Sequence, residues 1–157
     1  MASRAARQAL GNGGISPEEI DLILVATSTP DIIFPCVACR VQKEIDAVNA
    51  VCFDLNAACS GFLFAYQTAQ AYIQAGIYKK VLLIGADSMS QMVDWSDRGT
   101  CILFGDGAGA AVLSAEETGL SIHAAHSDGA RGDVLTGMSR HRKDWQQPEK
   151  IQESFIH

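Results

Sequence analysis

Cys59 is the residue of this sequence best placed to do chemistry. It lies in the segment DLNAACSGF (54–62), where an apolar, strand-like run gives way to small residues and then to a helix-like run. The first amides of a helix lack partners within the helix and carry partial positive charge, so they stabilise a thiolate over a thiol. The thiolate is the nucleophilic form of cysteine. Because its small neighbours leave space for an incoming thioester, the segment favours acyl transfer to the Cys59 sulfur.

The cysteines also have a structural interpretation, because free cysteine is often buried as a small hydrophobe. Position alone leaves both interpretations of Cys59 open. The sequence contains five cysteines, an odd number spread through apolar segments, which indicates reduced thiols in a cytoplasmic protein. Cys36 and Cys39 form a C-x-x-C, but it has no second pair and no histidine at zinc spacing. We therefore predict no metal site and disfavour a redox role there.

A glycine-rich segment, GDGAGA (105–110), follows the apolar run 102–104. It resembles the start of a dinucleotide fingerprint, but no polar-faced helix follows it. We predict a turn between two apolar strands, 102–104 and 111–113, in which Gly105, Gly107 and Gly109 need a positive φ or allow close approach of the strands. His123 and His126 are compatible with a structural role or with a base, and the sequence favours the structural role.

Composition limits the class of protein. The 157 residues, 48% of them hydrophobic, suffice for one domain or part of one. No apolar stretch approaches the length of about 20 residues that a membrane span needs, and no signal peptide is visible, so we predict a cytoplasmic protein without membrane contact. The net charge of -6 argues against nonspecific binding of nucleic acid.

The order of elements predicts an α/β fold. Continuous apolar runs at 21–27, 50–55 and 79–87 have the length of buried strands. Helical spacing is present at 35–45 and at 60–75, and Gly76 ends the second helix. Strands separated by helices in this way imply a mostly parallel sheet with both faces covered. We predict a further strand, antiparallel or at an edge, at 120–125.

Several motifs taken together resemble β-ketoacyl-acyl carrier protein synthase III, a family of the thiolase-like superfamily. They are AACSGF (57–62), GAD (85–87), DRGT (97–100), FGDGAGA (104–110) and HSDG (126–129). The resemblance implies a thiolase-like fold with a mostly parallel mixed sheet. Residues 1–136 are then part of the N-terminal βαβαβ half of such a synthase, and 137–157 are a loop or truncated tail.

The resemblance also implies a reaction. An acyl group from acyl-CoA, typically acetyl, moves to the cysteine that matches Cys59, whose amide contributes to an oxyanion hole. Malonyl-acyl carrier protein loses carbon dioxide, and its carbanion attacks the thioester to give a 3-oxoacyl-acyl carrier protein, the first step of fatty-acid synthesis. The family implies a homodimer that binds acyl carrier protein and needs no cofactor.

Three further residues match family positions. Arg98 matches a residue that contacts the CoA nucleotide, and Phe104 matches a wall of the acyl pocket. Phe34 matches a residue that reaches into the pocket of the neighbouring subunit. For both phenylalanines the alternative is plain core packing.

The sequence departs from the family in length. Family members are about twice as long, and their catalytic histidine and asparagine lie in a second half with no counterpart here. None of the four histidines matches that position: His123, His126, His141 and His157. We therefore expect an internal piece of a synthase. The alternatives are a noncatalytic remnant that only dimerises or binds carrier protein, and a related synthase that makes quinolone or polyketide starters.

Overall fold

The computed structural model describes residues 1–115 and 122–137. The chain forms two compact units: the first unit is Met1–Asp87 with Gly107–Ile122, and the second unit is Ser88–Asp106 with His123–His157. The helices are α1 (Ala2–Gly13), α2 (Val37–Ile45) and α3 (Gly61–Gln74). The strands are β1 (Leu22–Ala26), β2 (Val51–Leu55), β3 (Lys80–Ser88) and β4 (Asp106–Ser114). Short 3-10 helices cover Pro17–Glu19, Ala58–Ser60, Met89–Gln91 and Gly129–Val134.

The sheet has the strand order β2-β1-β3-β4. β1 is parallel to both of its neighbours, and Leu24 lies in register with Phe53 of β2 and Leu83 of β3. All five residues of β1 are buried. The three apolar runs are therefore parallel strands, and the predicted α/β class is confirmed.

Alternation along β1 divides the core between the two faces of the sheet. Ile23 and Val25 belong to a cluster with residues of α1 and α2. Leu22 and Leu24 belong to a second cluster, which includes Ala65 of α3. Each of these large side chains is fully buried and contributes about 1.5–3 kcal/mol.

The helix α3 begins very close to the end of β1. A Cβ at Gly61 would lie 3.3 Å from the Cβ of Ala26, closer than most such contacts. The absence of a side chain at Gly61 thus lets the start of α3 approach the sheet. This close approach positions the turn that precedes α3, in which Cys59 lies.

The glycine-rich segment forms strand β4, so the predicted turn is wrong. The prediction for Gly105, Gly107 and Gly109 is also wrong, because a Cβ at each would meet open space and none has a positive φ. The described glycines with positive φ are Gly14 and Gly76, which follow α1 and α3. Glycine and alanine carry no alternating apolar pattern, so pairing with β3 forms β4 without a side-chain signal.

Two other strand predictions fail. The run 102–104 begins in a turn and contains no strand. The predicted strand 120–125 lies partly outside the described residues, and its described part, 122–125, is not a strand. Most of the predicted tail, 137–157, also lies outside them. Among the helices that the structure describes, none is long and apolar enough to cross a bilayer.

Replacement of a fully buried β3 side chain should test this core. Ile84→Ala should lower the free energy of unfolding by about 2–5 kcal/mol, because it leaves a cavity between the sheet and its helices. The measurement is urea denaturation followed by circular dichroism. The control is Ile77→Ala, since Ile77 is 58% exposed and its loss should cost no more than about 0.5 kcal/mol. Equal losses for the two variants would contradict the assigned core.

Candidate active site

Cys59 lies in a 3-10 turn, Ala58–Ser60, between the end of β2 and the start of α3. Its side chain is exposed, which disfavours the interpretation as a buried hydrophobe. Ser60 is the N-cap residue of α3, so Cys59 lies just outside the helix. The sequence predicts that this helix begins at Ser60, whereas α3 begins one residue later, at Gly61. The thiol is thus open to an incoming reactant directly before a helix N-terminus.

The backbone next to Cys59 is strained. Ala58 has φ +46°, in the left-handed region that a residue with a Cβ seldom adopts. Such a conformation costs about 1–3 kcal/mol and persists only where its surroundings hold it. The Ala58 amide donates a 3.1 Å hydrogen bond to Oδ1 of Asn56. Asn56 is therefore one residue that holds the turn.

Asn56 is in turn connected to the loop that follows β1. The Ser28 hydroxyl donates a 2.9 Å hydrogen bond to Oδ1 of Asn56. The Ser28 amide donates to Oδ1 of Asp87 at 2.8 Å. The same Asp87 oxygen accepts the Thr29 amide at 3.1 Å, the Thr29 hydroxyl at 2.9 Å and the Thr27 hydroxyl at 3.3 Å. One carboxylate oxygen thus ties the loop after β1 to β3.

This network lies at one edge of the sheet. Ser28 follows β1 and Asn56 follows β2, while Asp87 lies near the end of β3. The carboxyl ends of parallel strands meet at one edge, where α/β proteins commonly bind ligands. The sequence motifs predict no role for these three residues. One sequence feature could have indicated them: each is a polar residue at the end of a buried apolar run or directly after it.

Phe34 lies in the segment between β1 and α2, and its side chain is 83% exposed. Core packing within the first unit therefore does not explain it. The peptide bond between Phe34 and Pro35 is cis. The following helix is fixed by Asp54, whose carboxylate oxygens accept the amides of Val37 and Ala38, each at 2.8 Å.

An open cleft of about 310 Å³ lies beside this segment. Its lining combines apolar and polar side chains from the loop after β1, from β2 and from the start of α2. The lining residues are Thr27, Pro30, Ile33, Cys36, Phe53, Asp54, Leu55 and Asn56. Asn56 thus belongs both to the cleft and to the turn that carries Cys59.

Arg98 and Phe104 belong to the second unit, whereas Cys59 and Phe34 belong to the first. Arg98 is exposed and lies in a turn held by Asp97, which accepts the Gly99 amide at 2.8 Å and the hydroxyl of the next residue at 2.7 Å. Phe104 is half-buried. The assignment of Arg98 to CoA and of Phe104 to an acyl pocket remains a prediction.

The end of this segment is fixed by Asp106. Its two carboxylate oxygens accept the Ser90 amide at 2.8 Å and the Ser90 hydroxyl at 2.7 Å. The hydroxyl and then the amide lower the pKa of Asp106 below its ordinary value. The carboxylate therefore stays ionised near neutral pH and joins the two ends of the segment Ser88–Asp106.

The remaining cysteines are less accessible than Cys59. Cys36, Cys39, Cys52 and Cys101 are half-buried free thiols. Burial raises the pKa of Cys52 to about 12, with neighbouring thiols adding to the effect. Within residues 1–115 and 122–137, no group of three His, Cys, Asp or Glu side chains could hold a metal ion.

Two of the four histidines, His123 and His126, lie among the described residues. His123 and His126 are exposed residues of the second unit. His141 and His157 lie outside the described residues. A structural role or a role as base for His123 and His126 stays a prediction.

Comparison with known proteins identifies the family. The model of the family 3-oxoacyl-[acyl-carrier-protein (ACP)] synthase III matches residues 53–130, which include Cys59 and Asp87. A β-ketoacyl-[acyl-carrier-protein] synthase III from Synechococcus sp. (strain WH7803) is 58% identical over 136 residues, 86% of this chain and 40% of that protein. The chain thus spans well under half the length of this curated relative.

Two solved structures show the same fold. The crystal structure of 3-oxoacyl-(acyl carrier protein) synthase III from Pseudomonas aeruginosa PAO1 is 36% identical with a TM-score of 0.87, and the match covers 99% of this chain and 48% of that one. The priming β-ketosynthase of the R1128 polyketide biosynthetic pathway is 39% identical with a TM-score of 0.73, covering 75% of this chain and 35% of that one. The predicted thiolase-like fold is confirmed. The chain belongs to the β-ketoacyl-acyl carrier protein synthase III family.

Proposed function

We propose that this chain carries the acyl-accepting half of a β-ketoacyl-acyl carrier protein synthase III, with Cys59 as the nucleophile. The observation that carries the proposal is the exposed Cys59 thiol on a strained turn where three parallel strands end. Strain concentrates at functional sites, and a thiol next to a helix N-terminus is a recurring nucleophile. The family match includes this turn.

The proposed first step is acyl transfer from acyl-CoA. The Cys59 thiolate attacks the thioester carbonyl, forms a new sulfur–carbon bond and displaces CoA as a thiolate, which takes up a proton. The Cys59 amide contributes to the hole that stabilises the negative carbonyl oxygen of the intermediate. The sulfur and that amide need a fixed relative position, which the strained Ala58 and its partner Asn56 supply.

The second step is condensation with malonyl-acyl carrier protein. Loss of carbon dioxide yields a carbanion that attacks the acyl group on Cys59 and releases a 3-oxoacyl-acyl carrier protein. The histidine and asparagine of this step have no match among the residues of this chain. We therefore assign to this chain the acylation of Cys59 and assign the decarboxylation to residues beyond it.

Three further residues have proposed roles. Arg98 contacts the CoA nucleotide, which its exposed guanidinium in a held turn supports. Phe104 forms a wall of the acyl pocket. Phe34 enters the pocket of a second subunit, which its exposure next to exposed Ile33 supports. The proposed protein is a homodimer that acts in the cytoplasm with acyl carrier protein as its partner.

A polyketide starter is the second candidate. The specific observation is the 39% identity to a priming β-ketosynthase of a polyketide pathway. Both candidates use the same Cys59 chemistry and differ in the acyl donor. Rates of Cys59 acylation with acetyl-CoA and with longer acyl-CoA esters separate them, because a fatty-acid starter enzyme should favour acetyl-CoA.

Removal of the nucleophile should abolish covalent labelling. After incubation with radiolabelled acetyl-CoA, the native protein should retain label through denaturation and Cys59→Ala should retain none. The matched control Cys52→Ala should label like the native protein, because the Cys52 thiol is half-buried and burial raises its pKa to about 12. Equal labelling of the native protein and Cys59→Ala would overturn the proposal.

Removal of the residue that holds the turn should slow acylation without removing the thiol. Asn56→Ala deletes the acceptor of the Ala58 amide and should lower the rate of Cys59 acylation about tenfold through misplacement of the sulfur. This rate is measured at saturating acetyl-CoA by quenching the labelling reaction at successive times. Asn49→Ala is the control, since exposed Asn49 donates its hydrogen bond to the carbonyl of Glu18, which is not part of this turn. An unchanged rate in Asn56→Ala would contradict the positioning role.

Loss of the Arg98 guanidinium should weaken CoA binding rather than chemistry. Arg98→Ala should raise the acetyl-CoA concentration for half-maximal labelling about tenfold, or about 1.4 kcal/mol, and leave the maximal rate unchanged. The shift should fall as salt concentration rises, because an exposed charge is screened. Arg4→Ala, another exposed arginine, is the control. An unchanged half-maximal concentration would remove Arg98 from the site.

A further inference from the structure

Two thiols touch each other at the start of α2. Cys36 is the N-cap residue of this helix, and Cys39 lies in its first turn. The Cys36 thiol donates to the sulfur of Cys39 with a sulfur–sulfur distance of 3.4 Å. A disulfide bond is about 2.05 Å long, so modest side-chain rotation would bring the two sulfur atoms to bonding distance. The two free thiols are therefore close enough to form a disulfide bond after a small rotation of their side chains.

One of these thiols can be reached from outside. Cys36 lines the open cleft of about 310 Å³, together with Ile33 and Asp54. Cys39 and Cys36 are both half-buried, and neither is sealed in the core. Cys36 is therefore the thiol of the pair that lines the cleft, and the sulfur of Cys39 lies 3.4 Å from its sulfur.

The surroundings make the pair a slow reactant. Burial is the main cause that raises the pKa of Cys36, and the negative charge of Asp54 adds to it. Asp54 also accepts the amides of Val37 and Ala38, which would otherwise stabilise a thiolate at this helix end. The half-buried pair thus differs in its surroundings from the exposed Cys59.

We propose that Cys36 and Cys39 are a modification site that forms an intramolecular disulfide by exchange with a small-molecule disulfide such as glutathione disulfide. The Cys36 thiolate attacks one sulfur of the donor, forms a mixed disulfide and releases one thiol. The Cys39 thiolate then attacks the Cys36 sulfur and releases the second thiol. Two protein thiols are oxidised, one donor disulfide is reduced, and the two protons pass to the released thiols.

This site is separate from the proposed acyl transfer, which uses Cys59. A C-x-x-C across the first turn of a helix is a known arrangement of exchangeable thiols. The sequence analysis disfavoured a redox role because the motif stands alone. The contact between the two sulfur atoms, which the spacing alone does not establish, is the reason to propose it here.

Peptide mapping provides a direct test. The purified protein, in a Cys59→Ala background, is incubated with glutathione disulfide, quenched in acid, alkylated in denaturant and digested with trypsin. No lysine or arginine lies between Arg7 and Arg40, so residues 8–40 form one peptide whose two cysteines are Cys36 and Cys39. This peptide should lose both alkylation sites without gaining glutathione, and dithiothreitol should restore them.

Two variants make the outcome decisive. Cys39→Ser should accumulate glutathione on Cys36, because the second exchange cannot occur. Cys52→Ala should still form the disulfide, although the Cys39 thiol contributes to the raised pKa of Cys52. Full alkylation of the 8–40 peptide after prolonged incubation, or a disulfide that links it to Cys52 instead, would overturn the proposal.

Discussion

A single oxygen atom, Oδ1 of Asp87, holds the edge of the sheet on which the proposed site depends. It accepts two amides and two hydroxyls from the loop that follows β1. Ser28 continues the connection to Asn56, and Asn56 accepts the amide of Ala58 directly before Cys59. The parallel register of β1 with β2 and β3 brings these residues together. The sheet therefore positions the turn that carries Cys59, and α3 begins directly after this turn.

Asp54 and Asp87 have the same structural role, because the carboxylate of each accepts backbone amides. Asp54 accepts the first two amides of α2, as Asp87 accepts the amides of the loop after β1. Hydrogen bonds to an ionised acceptor are about twice as strong as neutral ones. They order the segment that carries Phe34 from both ends. An aromatic side chain that is 83% exposed on an ordered segment suits contact with a second protein surface, where aromatic residues are enriched.

The sequence predicted those parts of the fold that buried apolar side chains specify. The strands β1, β2 and β3 were predicted to within one residue at each end, because strands covered on both faces are continuously apolar. The apolar end of β4, residues 111–113, was predicted as a strand, but its glycine-rich start was predicted as a turn, because glycine and alanine give no alternating pattern and the neighbouring strand determines the pairing. Cys59 was found because its segment changes character from strand to helix. Its exposure and the strain at Ala58 are properties of the folded chain.

The hydrogen-bond network could not be predicted for a related reason. Ser28 is separated from Asn56 by 28 residues and from Asp87 by 59, so no local pattern relates them. Their common feature is position at the end of a strand, which becomes informative only once the strands are known to be parallel neighbours. Position relative to the end of a strand also distinguishes two of the thiols. Cys52 within β2 is half-buried, and burial raises its pKa to about 12, whereas Cys59 lies beyond the end of the same strand and is exposed. The end of β2 thus separates Cys52, whose thiol packs against the core, from Cys59, whose thiol is exposed.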